Sequence, residues 1–326
     1  MFKKIIITLI AIVMLVVIGA VLFVNLSYEK DYSEGHPVSV LKIEGDSAMI
    51  AHGKYLAHGP AHCSHCHAPM SEFAKMESGE DVSLVGGFGL EIPPGTFYAP
   101  NITSDKESGI GNLTDGELYR MMRYNVNHKG QAVFDFMPFI NMSEEDIYSI
   151  IAYLRTLEPV KIDSKHSEYS LLGKVILASG GIMPGVPDQP VLESIEKEVS
   201  IEYGKYLAYA VANCRGCHTN RDMKTGEYIG EEYAGGLQFG PDNLTQGDAF
   251  VTPNLTPDSK TGIMTNWNEE EFVTRMKGGR IHDFSPMPWG AFRQMEDDDL
   301  RAIYMFLMDL DPIQNDVGEV HTPAET

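Results

Sequence analysis

All four cysteines of the chain fall in two copies of one five-residue pattern, Cys63-Ser64-His65-Cys66-His67 and Cys214-Arg215-Gly216-Cys217-His218. A C-x-x-C-H run is the attachment site of covalent haem. Its two thiols add to the two vinyl groups of one porphyrin, and the adjacent histidine binds iron from the proximal side. Covalent attachment keeps the group in place even when axial ligands leave the iron, so a small domain can hold it without enclosing it. No cysteine is left over for a structural disulfide. A redox dithiol expects a βαβ context, which flanks neither motif. A shared tetrahedral zinc would have to join pairs 151 residues apart, each with its own histidine. The sequence therefore predicts two covalently bound haem c groups, attached through Cys63, Cys66, Cys214 and Cys217, with His67 and His218 as iron ligands.

Each motif sits in a longer internal repeat, which is read before anything else in a chain of this length. Gly53-Lys54-Tyr55-Leu56-Ala57 precedes the first motif and Gly204-Lys205-Tyr206-Leu207-Ala208 the second. Further on, Ala99-Pro100-Asn101-Ile102-Thr103 matches Thr252-Pro253-Asn254-Leu255-Thr256, and Phe136-Met137-Pro138-Phe139 matches Pro286-Met287-Pro288-Trp289. Met137 follows His67 by 70 residues and Met287 follows His218 by 69. That spacing points to one shared task, distal ligation of iron. A thioether is a soft, neutral donor that raises the haem potential, and the proline after each methionine stiffens the loop that presents it. Met142 and Met295 also recur, but beside the next helix, where core packing is expected. His128 and His282 lie in the same region as competing ligands.

The rest reads as helix and loop. Short amphipathic helices are expected over 46–57 and 200–212. Thr114, Ser143 and Asn268 each open a capped helix with acidic residues in its first turn. Ile147, Ile150, Ile151, Leu154 and Leu157, and then Leu300, Ile303, Tyr304, Leu307 and Leu310, follow helical spacing, and Pro159 and Pro312 close the two segments. Strand-like alternation is scarce. The fold class is all-α: two tandem class I-like cytochrome c domains, at 46–160 and 199–315, a size typical of single domains. Residues 82–100 and 233–253, rich in Gly and Pro, are expected as ordered loops, with Gly86-Gly87 and Gly235-Gly236 passing close to a flat ring. Asn101, Thr103, Asn254 and Thr256 divide between haem propionates and ordinary turn chemistry. Arg123 and Lys277 divide between propionates and solvent. Tyr55 and Tyr206 are expected at the porphyrin edge or in the helix core.

Lys3 and Lys4 precede an uncharged, mostly apolar stretch over 5–24. Twenty residues at helical rise reach about 30 Å, the hydrocarbon thickness of a bilayer, longer than the core of a cleavable signal and followed by a poor cleavage site. Residues 1–27 are therefore expected to be a transmembrane helix with a cytoplasmic N-terminus. That gives a single pass through the inner (cytoplasmic) membrane, with the haem domains on the periplasmic side. Residues 28–45 read as a polar tether, 161–198 as an interdomain linker and 316–326 as a tail. The apolar run 171–177 in the linker is expected to pack across the domain interface or to rest on the membrane. The formal charge of −21 is the wrong sign for nucleic acid and can steer a basic redox partner.

The succession C-x-x-C-H, A/T-P-N-[IL]-T-x-D-x-x-x-G-I, a capped acidic helix, M-P and a final amphipathic helix resembles the membrane-bound cytochrome c subunits of bacterial alcohol, aldehyde and gluconate dehydrogenases. The likeness covers roughly 46–159 and 199–312. It rests on residues 99–105 with Gly109-Ile110, and on 252–258 with Gly262-Ile263. The resemblance implies His67/Met137 and His218/Met287 as axial pairs. It also implies electron transfer from a membrane or periplasmic dehydrogenase towards quinone, a cytochrome or a terminal oxidase. Those subunits usually carry three haem motifs; this chain has two. The alternative is a haem enzyme, of peroxidase or thiosulfate-oxidising type, with one open iron.

Overall fold

The computed structural model describes residues 1–222 and 226–324. Helix dominates. The long α1 (Phe2–Ser27) is apolar enough to cross a membrane and is exposed along its length. In the first half of the chain, α2 (Ser47–His58) is capped by Asp46, whose carboxylate accepts from the amides of Ala48 and Met49. It leads into α3 (Cys63–His67) and α4 (Phe73–Ser78). Next come α5 (Asp115–Tyr124), with the complete Thr114–Glu117 capping box, and α6 (Glu144–Thr156), capped by Ser143. The connection carries α7 (Leu171–Ala178). The second half repeats the order: α8 (Ile201–Tyr206) runs through a π-helical turn at Leu207–Val211 into α9 (Cys214–His218). It continues with α10 (Glu269–Lys277), boxed by Asn268 and Glu271, the single turn α11 (Trp289–Phe292) and α12 (Asp297–Asp309).

The core of each half is a crossing of its first and last helices. Of the apolar positions expected from the spacing, Ile147, Ile150, Ile151 and Leu154 on α6 and Leu300, Ile303 and Leu307 on α12 are buried, while Leu157, Tyr304 and Leu310 are half-buried. Each such side chain stabilises the fold by roughly 1.5–3 kcal/mol. Glycine lets the backbones touch. A β-carbon on Gly53 would lie 1.8 Å from the carbonyl oxygen of Ser149, and one on Gly204 would lie 1.9 Å from that of Ala302. Met142 and Met295 are buried in this core, as their position beside the last helix predicts.

The Gly- and Pro-rich loops are more structured than the sequence suggests. Strands β1 (Gly89–Ile92) and β2 (Gly95–Tyr98) form an antiparallel hairpin, and β3 (Glu168–Tyr169) pairs with β2. In the second half, β4 (Gln238–Phe239), β5 (Ala249–Val251) and β6 (His321–Thr322) repeat this sheet. Strands of two to four residues leave no readable alternation, and each third strand arrives from beyond the last helix of its half. The repeat therefore reaches into segments that read as linker and tail.

The segment 28–45 is not a free tether. Tyr32 donates its amide to the carbonyl of Gly130, and the amide of Ile43 donates to the Asp115 carboxylate at 2.8 Å. The buried Arg120 donates to the carbonyls of His36 and Asn127. Its polarity reflects backbone pairing with the first half rather than solvation. Likewise α7 does not bridge the halves. A β-carbon on Gly173 would meet the carbonyl oxygen of Pro94 at 2.0 Å, so the helix lies on the β1–β2 turn. Its Lys174 sits over the ring of Tyr28 at the end of α1.

What joins the halves is an exchange of tyrosines. The hydroxyl of Tyr55 donates to Asp299 at 2.5 Å and accepts from the amide of Glu296, the first two residues belonging to opposite halves. Reciprocally, the hydroxyl of Tyr206 donates to Asp146 at 2.5 Å and accepts from the amide of Ser143. Each tyrosine thus closes the N-terminus of the other half's last helix, where free amides and the helix dipole favour such partners. Burial pushes the Asp299 carboxyl above its ordinary range and drives the Tyr206 hydroxyl well above its own. Of the two roles expected for Tyr55 and Tyr206, packing in the helix core is observed, and their hydroxyls add this interface to it.

Gly53→Ala is expected to lower the stability of the folded protein by about 1–3 kcal/mol, because its β-carbon meets rigid backbone. The midpoint of denaturant unfolding measures this. A second expectation concerns His58, which is 3% exposed and shares a 2.8 Å hydrogen bond with the Tyr153 hydroxyl. Burial lowers its pKa from 6.5. Below pH 6.5 the unfolded chain takes up a proton that the folded chain resists, so stability falls as pH falls through that range. His58→Gln should flatten this part of the pH profile of the unfolding midpoint.

Candidate functional site: two matched cysteine–histidine helices

The two C-x-x-C-H runs form single-turn helices, α3 and α9, with one geometry. The residue before each is left-handed, His62 at φ 43° and Asn213 at φ 51°, a conformation in which Asn and His are among the residues enriched. This sharp entry turns the chain from α2, or from the π-helical turn after α8, into the motif. The four thiols are unpaired. Burial pushes the Cys63 and Cys214 thiols up to about 12 and the Cys66 thiol up to about 11, so they are held as S–H.

His67 and His218 are both buried, at 8% exposure, and burial lowers the pKa of each. Each donates its Nδ1–H to a proline carbonyl: His67 to Pro100 at 2.8 Å, His218 to Pro253 at 3.0 Å. A hydrogen bond at one ring nitrogen fixes the tautomer and leaves the other as the metal donor. In both halves Nε2 is therefore the nitrogen left free to accept a metal. Two free thiols to add to vinyl groups and one oriented imidazole to face the iron are what covalent haem uses, so the residues present fit the group.

The A/T-P-N-[IL]-T segments exist to deliver those carbonyls. The Asn101 side chain accepts from the amide of Thr103 and donates to the carbonyl of Val160. Asn254 does the same with Thr256 and Ile313. All four polar residues are buried, and their hydrogen bonds are those of the turn. The amides of Gly86 and Gly235 donate to the carbonyls of His67 and His218. Both glycines have positive φ, 78° and 74°, and a β-carbon on either would lie 2.4 Å from the carbonyl oxygen of Ala99 or Thr252. The close approach that demands glycine is therefore to the proline segment.

Arg123 and Lys277 do occupy equivalent places, but their partners are protein groups. Arg123, 1% exposed, donates to the carbonyl of Ile140 at 2.7 Å and pairs with Glu144. Lys277 donates to the carbonyl of Met295 and pairs with Asp297 at 3.0 Å. Both cations tie the chain after the M-P turn to the start of the last helix. Met137 and Met287 are half-buried and each begins a tight turn, the carbonyls of Met137 and Met287 accepting from Phe139 and Trp289. His128 is exposed, and His282 lies tilted against His321 with ring centroids 4.0 Å apart.

Sequence reasoning missed the two proline carbonyls, although the repeated A/T-P-N segment, 33 and 35 residues after the histidines, was the signal. It also missed an ion pair between the halves, Glu77 with Arg280, which no motif announces.

No family model matches the chain, but several curated proteins do. Over 291 residues it is 29% identical to the cytochrome c subunit of a quinone-type alcohol dehydrogenase from Gluconacetobacter polyoxogenes, covering 84% of this chain and 58% of that one. It is 25% identical over 283 residues to the cytochrome c subunit of gluconate 2-dehydrogenase from Pantoea cypripedii, covering 82% and 60%. With a dihaem c-type cytochrome from Cereibacter sphaeroides it shares 27% identity over 258 residues, covering 75% and 80%. The relatives are cytochromes c, and this chain is their homologue. It spans a little over half the length of the dehydrogenase subunits it matches. Haem c is accordingly the cofactor that a C-x-x-C-H helix with a carbonyl-held histidine serves.

Gly86→Ala should displace the proline segment and loosen the Nδ1 bond of His67 while leaving His218 untouched. Mass spectrometry of the peptides carrying the two motifs is then expected to show reduced haem occupancy at Cys63 and Cys66 alone.

Proposed function

We propose that the chain is a membrane-anchored electron-transfer cytochrome with two haem c groups, one in each of two tandem class I-like cytochrome c domains. It takes electrons from a dehydrogenase and passes them to quinone, another cytochrome or a terminal oxidase. The observation that carries this reading is the twofold recurrence of one arrangement: a C-x-x-C-H turn whose histidine is locked by a proline carbonyl, followed at matched distance by an M-P turn. His67 and Met137 serve as one axial pair, His218 and Met287 as the other.

Haem c supplies a one-electron couple. The chain's own part is to keep that couple from reorganising. His67 and His218 hold their Nδ1 protons against carbonyls in fixed orientation. Each M-P turn is held stiff, and a thioether donor favours the reduced state. The tyrosine exchange between the halves holds the two attachment helices in a constant relation, which a relay between two sites requires. Helix α1 spans the inner membrane with its lysines on the cytoplasmic side, and the two domains stand on the periplasmic side. The homologous subunits of alcohol and gluconate dehydrogenases support a dehydrogenase as donor, and the acidic surface suits a partner with a basic docking face.

The test is the reduced optical spectrum of the detergent-purified protein before and after carbon monoxide, in the native chain, Met137→Ala and Met287→Ala. The native protein is expected to carry two haems and not to respond. Each substitution is expected to open one iron to carbon monoxide and to lower one of two midpoint potentials. Ready binding of carbon monoxide to the native protein would move the chain to the haem enzymes with an open iron. Extraction from membranes by detergent but not by salt is expected for the anchor.

A further inference from the structure

The Met287 turn is held by the opposite half of the molecule. Arg280, 10% exposed at its side chain, and Glu77, 15% exposed, form an ion pair across the interface. The pair is bidentate, Nε and Nη2 of the arginine meeting the two carboxylate oxygens at 2.7 and 2.8 Å. Glu77 lies on α4, just after the first attachment motif, and Arg280 lies between α10 and the Met287 turn. The remaining donors of the guanidinium point into that turn: Nη1 to the carbonyl of Ser285, and Nη2 to the carbonyl of Met287 at 3.3 Å. The ring of Phe73 lies under the guanidinium. Beyond the turn, α11 is seated on the same patch. Arg293 donates to the carbonyl of Glu77 at 2.9 Å, and a β-carbon on Gly290 would lie 2.4 Å from the carbonyl oxygen of Met76.

The first half carries no matching arginine on its own turn; there the charges across the interface are reversed, with Asp135, two residues before Met137, in the field of Arg221 from the second half. Between Arg123 and Met137 the sequence carries no arginine, and its one lysine, Lys129, is exposed. The Met137 turn is instead neighboured by the connection between the halves, where Gly185 donates to the carbonyl of Tyr124 and Asn141 accepts from the amide of Asp188.

We propose that Glu77 and Arg280 are positioning residues for the Met287 thioether, so that docking of the first half sets the axial ligation, and hence the potential, of the second site alone. A planar guanidinium with five donors in a fixed fork can satisfy a carboxylate on one side and two carbonyls on the other. It therefore fixes the turn relative to α4 in a way a lysine cannot. The inference rests on reading Met287 as an iron ligand.

The experiment uses the full-length, haem-loaded protein in detergent. It records the sulfur-to-iron charge-transfer band of the ferric form and the two midpoint potentials, with haem content as the check on folding. Glu77→Gln and the milder Arg280→Lys are each expected to weaken the band by up to half and to lower one potential. That potential is the one lowered by Met287→Ala, and the one sensitive to Met137→Ala stays where it is. The charge-reversed pair, Glu77→Arg with Arg280→Glu, restores an ion pair between the halves but cannot donate to the carbonyls of Ser285 and Met287. It is expected to leave the band weakened. If Met287→Ala abolishes its share of the band while Glu77→Gln and Arg280→Lys change nothing, the positioning role is overturned and the ligand assignment stands. If Met287→Ala itself leaves band and potentials unchanged, the ligand assignment fails and the inference falls with it. Full recovery in the charge-reversed pair would assign the effect to docking alone and overturn the grip on the turn.

Discussion

Two tyrosine hydroxyls, each buried in the other half's final helix terminus, are the contact on which the molecule's arrangement depends. Tyr55 and Tyr206 accept an N-cap amide and donate to the third carboxylate of the helix, Asp299 and Asp146 respectively. A buried hydroxyl stripped of such partners while it stays buried costs about 1–3 kcal/mol, so the two halves fit together only in the register that pairs each tyrosine with the other half's helix terminus. The same helices form the core crossings with α2 and α8. The interface and the two cores are in this way built from one set of elements.

Near-symmetry makes the departures from it informative. His52 sits on Asp146 at 2.6 Å, while the equivalent Tyr203 reaches Asp299. The Met287 turn is gripped across the interface, and the Met137 turn has the connection between the halves beside it, at Tyr124 and Asn141. A duplicated unit whose copies face each other head to head cannot keep identical surroundings once one intervening segment joins them. Two sites built from the same motif thereby acquire different neighbours, which is a physical route to two different potentials.

Much of the local chemistry was legible because it is local. The C-x-x-C-H turns, the capping residues Thr114, Ser143 and Asn268, and the buried stripes of α6 and α12 follow from neighbours within a few positions. The roles of Asn101 and Asn254 were visible only as a choice, since propionate and turn partners look alike in sequence. What stayed hidden were partners far along the chain. The Tyr55 side chain reads as a haem neighbour because it stands beside the motif, yet its partner is 244 residues away. Glu77 and Arg280 lie 203 positions apart with no shared pattern. The third strands escaped notice because two residues carry no period, and the segment 28–45 looked free because its hydrogen bonds are made by its backbone.

That segment also changes how the molecule would meet its partners. A flexible leash after α1 would let the domains sample a wide cap of orientations above a bilayer. Here the chain leaving α1 is stitched to the first half through Tyr32, Ile43 and Arg120, and Lys174 of α7 lies against Tyr28. Were α1 to sit in a bilayer, this stitching would narrow the tilt and height that the first half can take above it. A search for a partner in the same bilayer would then run in the plane, favouring surfaces carried at the matching altitude.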